Sequence, residues 1–64
     1  MDLVKMKEVA KQVFSIACRN TSNQSRAQAV AALFNACDEV GISGAEKRFA
    51  AEYGLSCFGY GGGL

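Results

Sequence analysis

The sequence has 64 residues, enough for one small domain, and half of them are hydrophobic, which is typical of a folded chain rather than a disordered one. Seven basic and six acidic residues leave a formal charge of +1, so the composition gives no general attraction to nucleic acid or to an anionic membrane. The absence of histidine and the wide spacing of the three cysteines argue against catalysis, a cofactor or a structural zinc site.

The first predicted helix covers residues 2–19. Apolar residues recur three and four positions apart along it, as expected for one side of a helix. Further apolar residues widen this side into a broad apolar face, which includes Leu3, Met6, Val9, Ala10, Val13, Phe14, Ile16 and Ala17. Two further short helices can hardly cover a face this wide, so we expect a homodimer that pairs through the first helix.

The second predicted helix covers residues 24–40. Thr21 and Gln24 have the spacing of a capping box at its start, and Gly41 marks its end, because glycine readily takes the left-handed conformation. Its alanines form a stripe of small side chains that lets another helix approach closely. The polar segment 20–23 is suited to a turn between antiparallel helices, so the first two helices are expected to form a hairpin.

The third predicted helix covers residues 44–53, with a second capping box at Ser43 and Glu46 and an expected end at Gly54. Residues 56–64 contain four glycines and are expected to form a flexible tail, which leaves 1–55 as a single helical domain. The predicted fold is therefore all-α, a helical hairpin with a short third helix, forming a small bundle that homodimerisation completes.

The cysteines allow predictions about which thiols are buried and about the cellular location of the protein. Cys18 and Cys37 lie on apolar helical faces and are expected to be buried, whereas Cys57 lies in the predicted tail and is expected to be exposed. An odd number of cysteines without a secretory signal favours reduced thiols, and no segment is long and apolar enough to span a bilayer. A soluble protein of the cytoplasm is therefore expected.

The apolar surplus of the first helix favours a non-enzymatic protein that acts by binding another protein. Phe58 and Tyr60 of the predicted tail would either dock on the domain itself or extend this surface toward a partner. No catalytic, cofactor-binding or metal-binding residue is predicted. The predicted protein interface consists of Leu3, Met6, Val9, Val13, Ile16, Phe58 and Tyr60.

A short pattern occurs twice, as EVGIS at residues 39–43 and as EYGLS at residues 52–56. One interpretation is that each copy is a helix end with a capping glycine. The run FAAEYGLS, at residues 49–56, also resembles the first helix and turn of the helix-turn-helix DNA-binding family. The match consists of Ala50, four residues before the turn glycine, and of Leu55, the apolar residue just after it.

The helix-turn-helix resemblance implies a DNA-binding transcriptional regulator, which is the alternative function. The segment after Gly54 is rich in glycine and lacks a basic residue. A turn at Gly41 gives a real following helix, but Cys37 then replaces the alanine and Lys47 takes a position that is normally buried. Lys47 and Arg48 would then lie on the recognition helix, and Arg26 would reach a phosphate. The near-neutral charge opposes this alternative, since neutralisation of phosphates supplies most of the affinity for DNA.

In length and single-domain helical build, the chain is also similar to the small helical accessory proteins encoded in the early regions of lambdoid bacteriophages. That resemblance implies expression in the cytoplasm of an infected bacterium and action on a host or phage regulatory protein.

Overall fold

The computed structural model describes residues 2–21 and 25–60. They form three helices in chain order, α1 (Leu3–Asn20), α2 (Arg26–Val40) and α3 (Gly44–Phe58). These helices make up 86% of the described residues, among which there is no strand, so the predicted all-α fold with three helices is confirmed. Each helix packs against both others, and α1 has its most extensive contacts with α3. The third helix is therefore a full member of the bundle.

Two of the helices begin at a residue whose side chain caps them. The Asp2 carboxylate accepts a hydrogen bond from the Val4 N–H at 3.1 Å, and the Ser25 hydroxyl oxygen accepts one from the Gln28 N–H at 3.2 Å. Ser25 therefore caps α2 in place of the predicted Thr21, which instead follows the end of α1. Gln24 lies outside the described residues.

The start of α3 differs from its prediction in another way. Ser43 does precede the helix, but its side chain makes no capping hydrogen bond. Gly44, the first residue of α3, has φ of +62°, a conformation that side-chain-bearing residues rarely adopt. The chain therefore enters α3 through a glycine backbone conformation and not through the predicted capping box.

The predicted end of α2 at Gly41 is confirmed. Gly41 has φ of +87°, and its N–H donates to the carbonyl oxygen of Cys37 at 2.9 Å. The Ile42 N–H donates to the same oxygen at 3.1 Å, so the last turn of α2 is closed by the backbone.

The third helix does not end at Gly54, and this corrects its predicted extent. It continues to Phe58 and ends at Gly59, whose φ is +92°, so residues 56–58 of the predicted tail are helical. Gly54 is buried, and a Cβ atom added to it would collide with the Leu33 side chain of α2. Its lack of a side chain serves close approach of α3 to α2. Residues 61–64 lie outside the described residues.

The three helices enclose a core made mainly of small side chains. Among the described residues, the larger side chains that are fully buried are those of Leu33, Leu55, Val13 and Cys37. The radius of gyration of 10.4 Å is close to the roughly 10.7 Å expected of a compact domain of this length. The remaining buried hydrophobic residues are all alanines, at Ala10, Ala17, Ala29, Ala32, Ala36, Ala50 and Ala51.

Candidate interaction surface

Two large aliphatic side chains are exposed at the start of α1. Leu3 is 56% exposed and Val4 is 63% exposed, and they are the large hydrophobic residues that stand out to solvent in the described part of the chain. The Asp2 cap holds both in the first turn of a regular helix. Met6 follows Leu3 by three residues and is partly exposed. We refer to Leu3, Val4 and Met6 as the N-terminal patch.

The sequence prediction of this surface omitted Val4. Successive residues on a helix point about 100° apart, so Val4 lies outside the three-and-four pattern that begins at Leu3. The sequence nevertheless contains a signal for the exposure of Val4. An aliphatic residue outside the apolar pattern of a helix is not needed by the core, so it is a candidate for a surface that binds a partner.

The other predicted interface residues of α1 lie inside the bundle. Val13 is fully buried in the core, and Val9 and Ile16 are partly buried against it. Val13 therefore offers no surface to a partner, which corrects its place in the predicted interface. The physical reason is the length of α3, which covers part of the apolar face of α1 that the sequence left without a partner.

Phe58 and Tyr60 are held against their own domain. The Phe58 ring meets the Phe14 ring edge to face, with centroids 4.8 Å apart and an angle of 61° between planes. Tyr60 packs against the core, and its N–H donates to the Leu55 carbonyl oxygen at 2.9 Å. Phe14 follows Leu3 by eleven residues, or about 16 Å along the helix, so the aromatic pair and the N-terminal patch are separate features.

The N-terminal patch lies on a basic helix. In α1 and its cap, four basic residues (Lys5, Lys7, Lys11 and Arg19) accompany two acidic ones, Asp2 and Glu8. Lys7 follows Leu3 by four residues and Val4 by three, so its side chain lies beside theirs, and Lys11 is one turn further. Among the residues that the structure describes, none of the three lysines forms an ion pair.

The cations predicted to contact DNA have partners within the chain. Lys47 Nζ lies 3.0 Å from Asp38 Oδ1 and 5.4 Å from the centre of the Phe34 ring. Arg48 Nε lies 3.7 Å from Glu52 Oε1, one helical turn away. The two cations line one shallow pocket with Phe34 and Gly44, so the structure does bring them together.

Arg26 does not join Lys47 and Arg48. It begins α2, whereas Lys47 contacts Asp38 near the other end of that helix, twelve residues or about 18 Å along it. Arg26 also has an interaction within the chain. The three cations therefore do not form one basic surface.

The thiols fall into two environments. Cys37 is buried, as predicted, and its Sγ lies 3.7 Å from the Lys47 carbonyl oxygen as a weak hydrogen-bond donor. Burial raises the pKa of the Cys37 thiol, with a smaller opposing effect from Lys47, so the thiol stays protonated and unreactive. Cys57 is exposed, as predicted, but Cys18 is also exposed, which makes its predicted burial wrong.

Within the described residues, no helix has the length and apolar character needed to cross a membrane. The same part of the chain has no group of three or more His, Cys, Asp or Glu side chains placed to hold a metal ion. Comparison with known protein families, curated proteins and solved structures finds no match to this chain.

Proposed function

We propose that this protein acts without catalysis, by binding another protein through the N-terminal patch. The observation that carries the proposal is the joint exposure of Leu3 and Val4 on a capped, regular helix. Full burial of a Leu or Val side chain contributes about 1.5–3 kcal/mol, so a partner that covers both would gain a substantial part of a specific binding energy.

A photo-crosslinking experiment tests this proposal. Replacing Val4 with a photoreactive phenylalanine derivative is expected to yield one stoichiometric protein adduct in the native host. The same substitution at Gln12, an exposed polar position of α1, is the matched control and is expected to yield none. Loss of selectivity between the two positions, or an adduct at position 4 whose yield is unchanged by the substitution Leu3→Ser, would contradict the proposal.

Homodimerisation through α1 is a second part of the proposal. It is supported by the small number of large side chains in the core, because a domain this small gains stability when an associated subunit covers further apolar surface. Sedimentation equilibrium at micromolar concentrations is expected to give a mass above the 6.8 kDa of one chain. Substitution of Leu3 and Val4 by serine should return it to the monomer. A monomer mass for the unmodified chain would exclude this part.

We extend the proposal to a regulatory role in the bacterial cytoplasm, as in the phage accessory proteins that the chain resembles in length and helical build. The partner captured through position 4 is then expected to be a host or phage regulatory protein. If the captured partner is a structural or metabolic protein, the regulatory role is excluded, whereas the proposal that the chain binds another protein still stands.

DNA binding is the second candidate function, and one observation favours it. Lys47 and Arg48 lie together at the start of α3, directly after the three-residue turn that follows α2. Their ion pairs with Asp38 and Glu52 oppose it, since those carboxylates compete with phosphates. Retention on non-specific DNA that falls with salt and with the substitutions Lys47→Gln and Arg48→Gln would support the candidate. Elution at low salt would exclude it.

A further inference from the structure

The exposed apolar residues of α1 and its exposed lysines form one continuous surface. Leu3, Lys7 and Lys11 follow one another at intervals of four residues, and Val4 lies beside Lys7. The distance from Leu3 to Lys11 is about 12 Å along the helix, or two turns. We refer to Leu3, Val4, Lys7 and Lys11 as the basic-apolar face.

Within the described residues, no carboxylate forms an ion pair with the lysines of this face. Neighbouring lysines four residues apart on a helix repel one another, which costs a few tenths of a kcal/mol. The Asp2 carboxylate is engaged with the Val4 N–H, and Glu8, beside Val4, forms no ion pair with another described residue. By contrast, Lys47, Arg48 and Arg26 each have an interaction within the chain.

We propose that the partner presents an acidic amphipathic helix, with an apolar side chain against Leu3 and Val4 and carboxylates at one-turn intervals against Lys7 and Lys11. This inference rests on the proposed function and adds the chemistry of the partner. Charge complementarity carries it, because the only large aliphatic residues exposed in the described chain stand directly beside two cations without ion-pair partners.

Two other occupants fit the face less well. A second copy of the chain would bring the same lysines to the face, so the homodimer proposed above would be weaker than the complex with an acidic helix, which would displace it. An anionic membrane would receive few apolar side chains, because Ala10, Val13 and Ala17 of α1 are fully buried within the bundle. Binding of an amphipathic helix in a membrane surface depends on a broader apolar face than this.

The test is a titration of the isotopically labelled protein, followed by amide chemical shifts, with two synthetic helical peptides. One peptide has leucine on one side and glutamate on the other, and the second has glutamine at every glutamate position. We expect shifts at residues 3–11 with the glutamate peptide and at least about fivefold weaker binding of the glutamine peptide. Raising the salt concentration should weaken the first complex, whereas it would strengthen a homodimer by screening the lysines.

Two double variants with equal change in charge locate the effect. Lys7→Gln with Lys11→Gln is expected to lower the affinity for the glutamate peptide about fivefold to tenfold. Arg19→Gln with Arg48→Gln should leave that affinity unchanged. Phosphatidylserine vesicles are titrated in the same way. Equal binding of the two peptides, absence of chemical-shift changes on α1, or changes with the vesicles but with neither peptide would each overturn the inference.

A third variant separates failure of this inference from failure of the proposed function. If Leu3→Ser with Val4→Ser abolishes binding while the lysine variant binds normally, the acidic partner is excluded and the binding patch stands. If the serine variant binds as well as the unmodified chain, the N-terminal patch itself is excluded. Circular dichroism of each variant checks that the helices are intact.

Discussion

Gly54 shows how one residue type can serve two opposite purposes. In the sequence it follows an apolar helical face, which is where a capping glycine is expected. In the structure it lies within α3, buried against Leu33, and the helix continues for four more residues. A sequence pattern along one helix carries no information about how closely a second helix approaches, so this use of glycine was not predictable.

The substitution Gly54→Ala is expected to destabilise the protein, although alanine normally favours a helix over glycine by about 1 kcal/mol. The new Cβ would collide with the side chain of Leu33, which is fully buried in the core. Overpacking of this kind costs about 1–3 kcal/mol, measurable by urea unfolding. Ser56→Ala, at an exposed position of the same helix, is the control and should be nearly neutral. Greater stability of the Gly54 variant would refute the close approach.

The buried thiol of Cys37 gives the stability a dependence on alkaline pH. Burial raises its pKa in the folded state, so above the ordinary thiol pKa of about 8.5 the unfolded chain loses a proton that the folded chain retains. Stability is then fully present below that pH and falls as pH rises through the folded-state pKa, by at most about 1.4 kcal/mol per pH unit. Thermal unfolding across this range should show the decline.

The matched variants for this prediction are Cys37→Ala and Cys18→Ala. The first removes the buried thiol and should flatten the alkaline decline relative to the unmodified chain, whereas the second removes an exposed thiol and should leave the decline in place. Parallel pH curves for the unmodified chain and the Cys37 variant would count against a buried protonated thiol.

At the scale of the helix, the two serine caps predict opposite outcomes of the same substitution. Ser25→Ala removes a hydroxyl that accepts the Gln28 N–H and should cost about 1 kcal/mol. Ser43→Ala removes a hydroxyl that makes no capping hydrogen bond, and should cost much less. Urea unfolding of the two variants measures the difference directly. A larger loss at Ser43 would mean that the capping box suggested by the sequence forms after all.

The existence of the helices was predictable, and their ends only partly so. Apolar spacing indicated all three helices, and Gly41 marked the end of α2, because these signals are local. The start of α2 was missed because Thr21 and Ser25 are both acceptable N-caps, and local chemistry does not choose between them. The end of α3 was missed because Phe58 packs on Phe14, a contact between residues far apart in sequence.

At the scale of the molecule, the sequence predicted the number of helices but not how they share the core. The broad apolar face of α1 suggested that a partner subunit is needed to cover it. In the structure α3 covers much of this face, and Val13 is fully buried as a result. Of the predicted surface, Leu3 and Met6 remain accessible, and Val4 joins them. Which part of an amphipathic helix stays uncovered depends on the lengths of its neighbours, and helix length was the quantity that sequence patterns estimated least well.

The alanine-rich core has a thermodynamic consequence for the whole domain. Ordering an alanine side chain costs no rotamer entropy, so these helices associate with a small entropic penalty and a small gain from water release. The heat capacity change on unfolding follows the apolar area exposed, and a typical chain of this length would show about 0.8–1.0 kcal/mol/K. Calorimetry should give a value below that range. The stability curve should accordingly be shallow, so that the protein keeps a modest stability almost unchanged across a wide span of temperature.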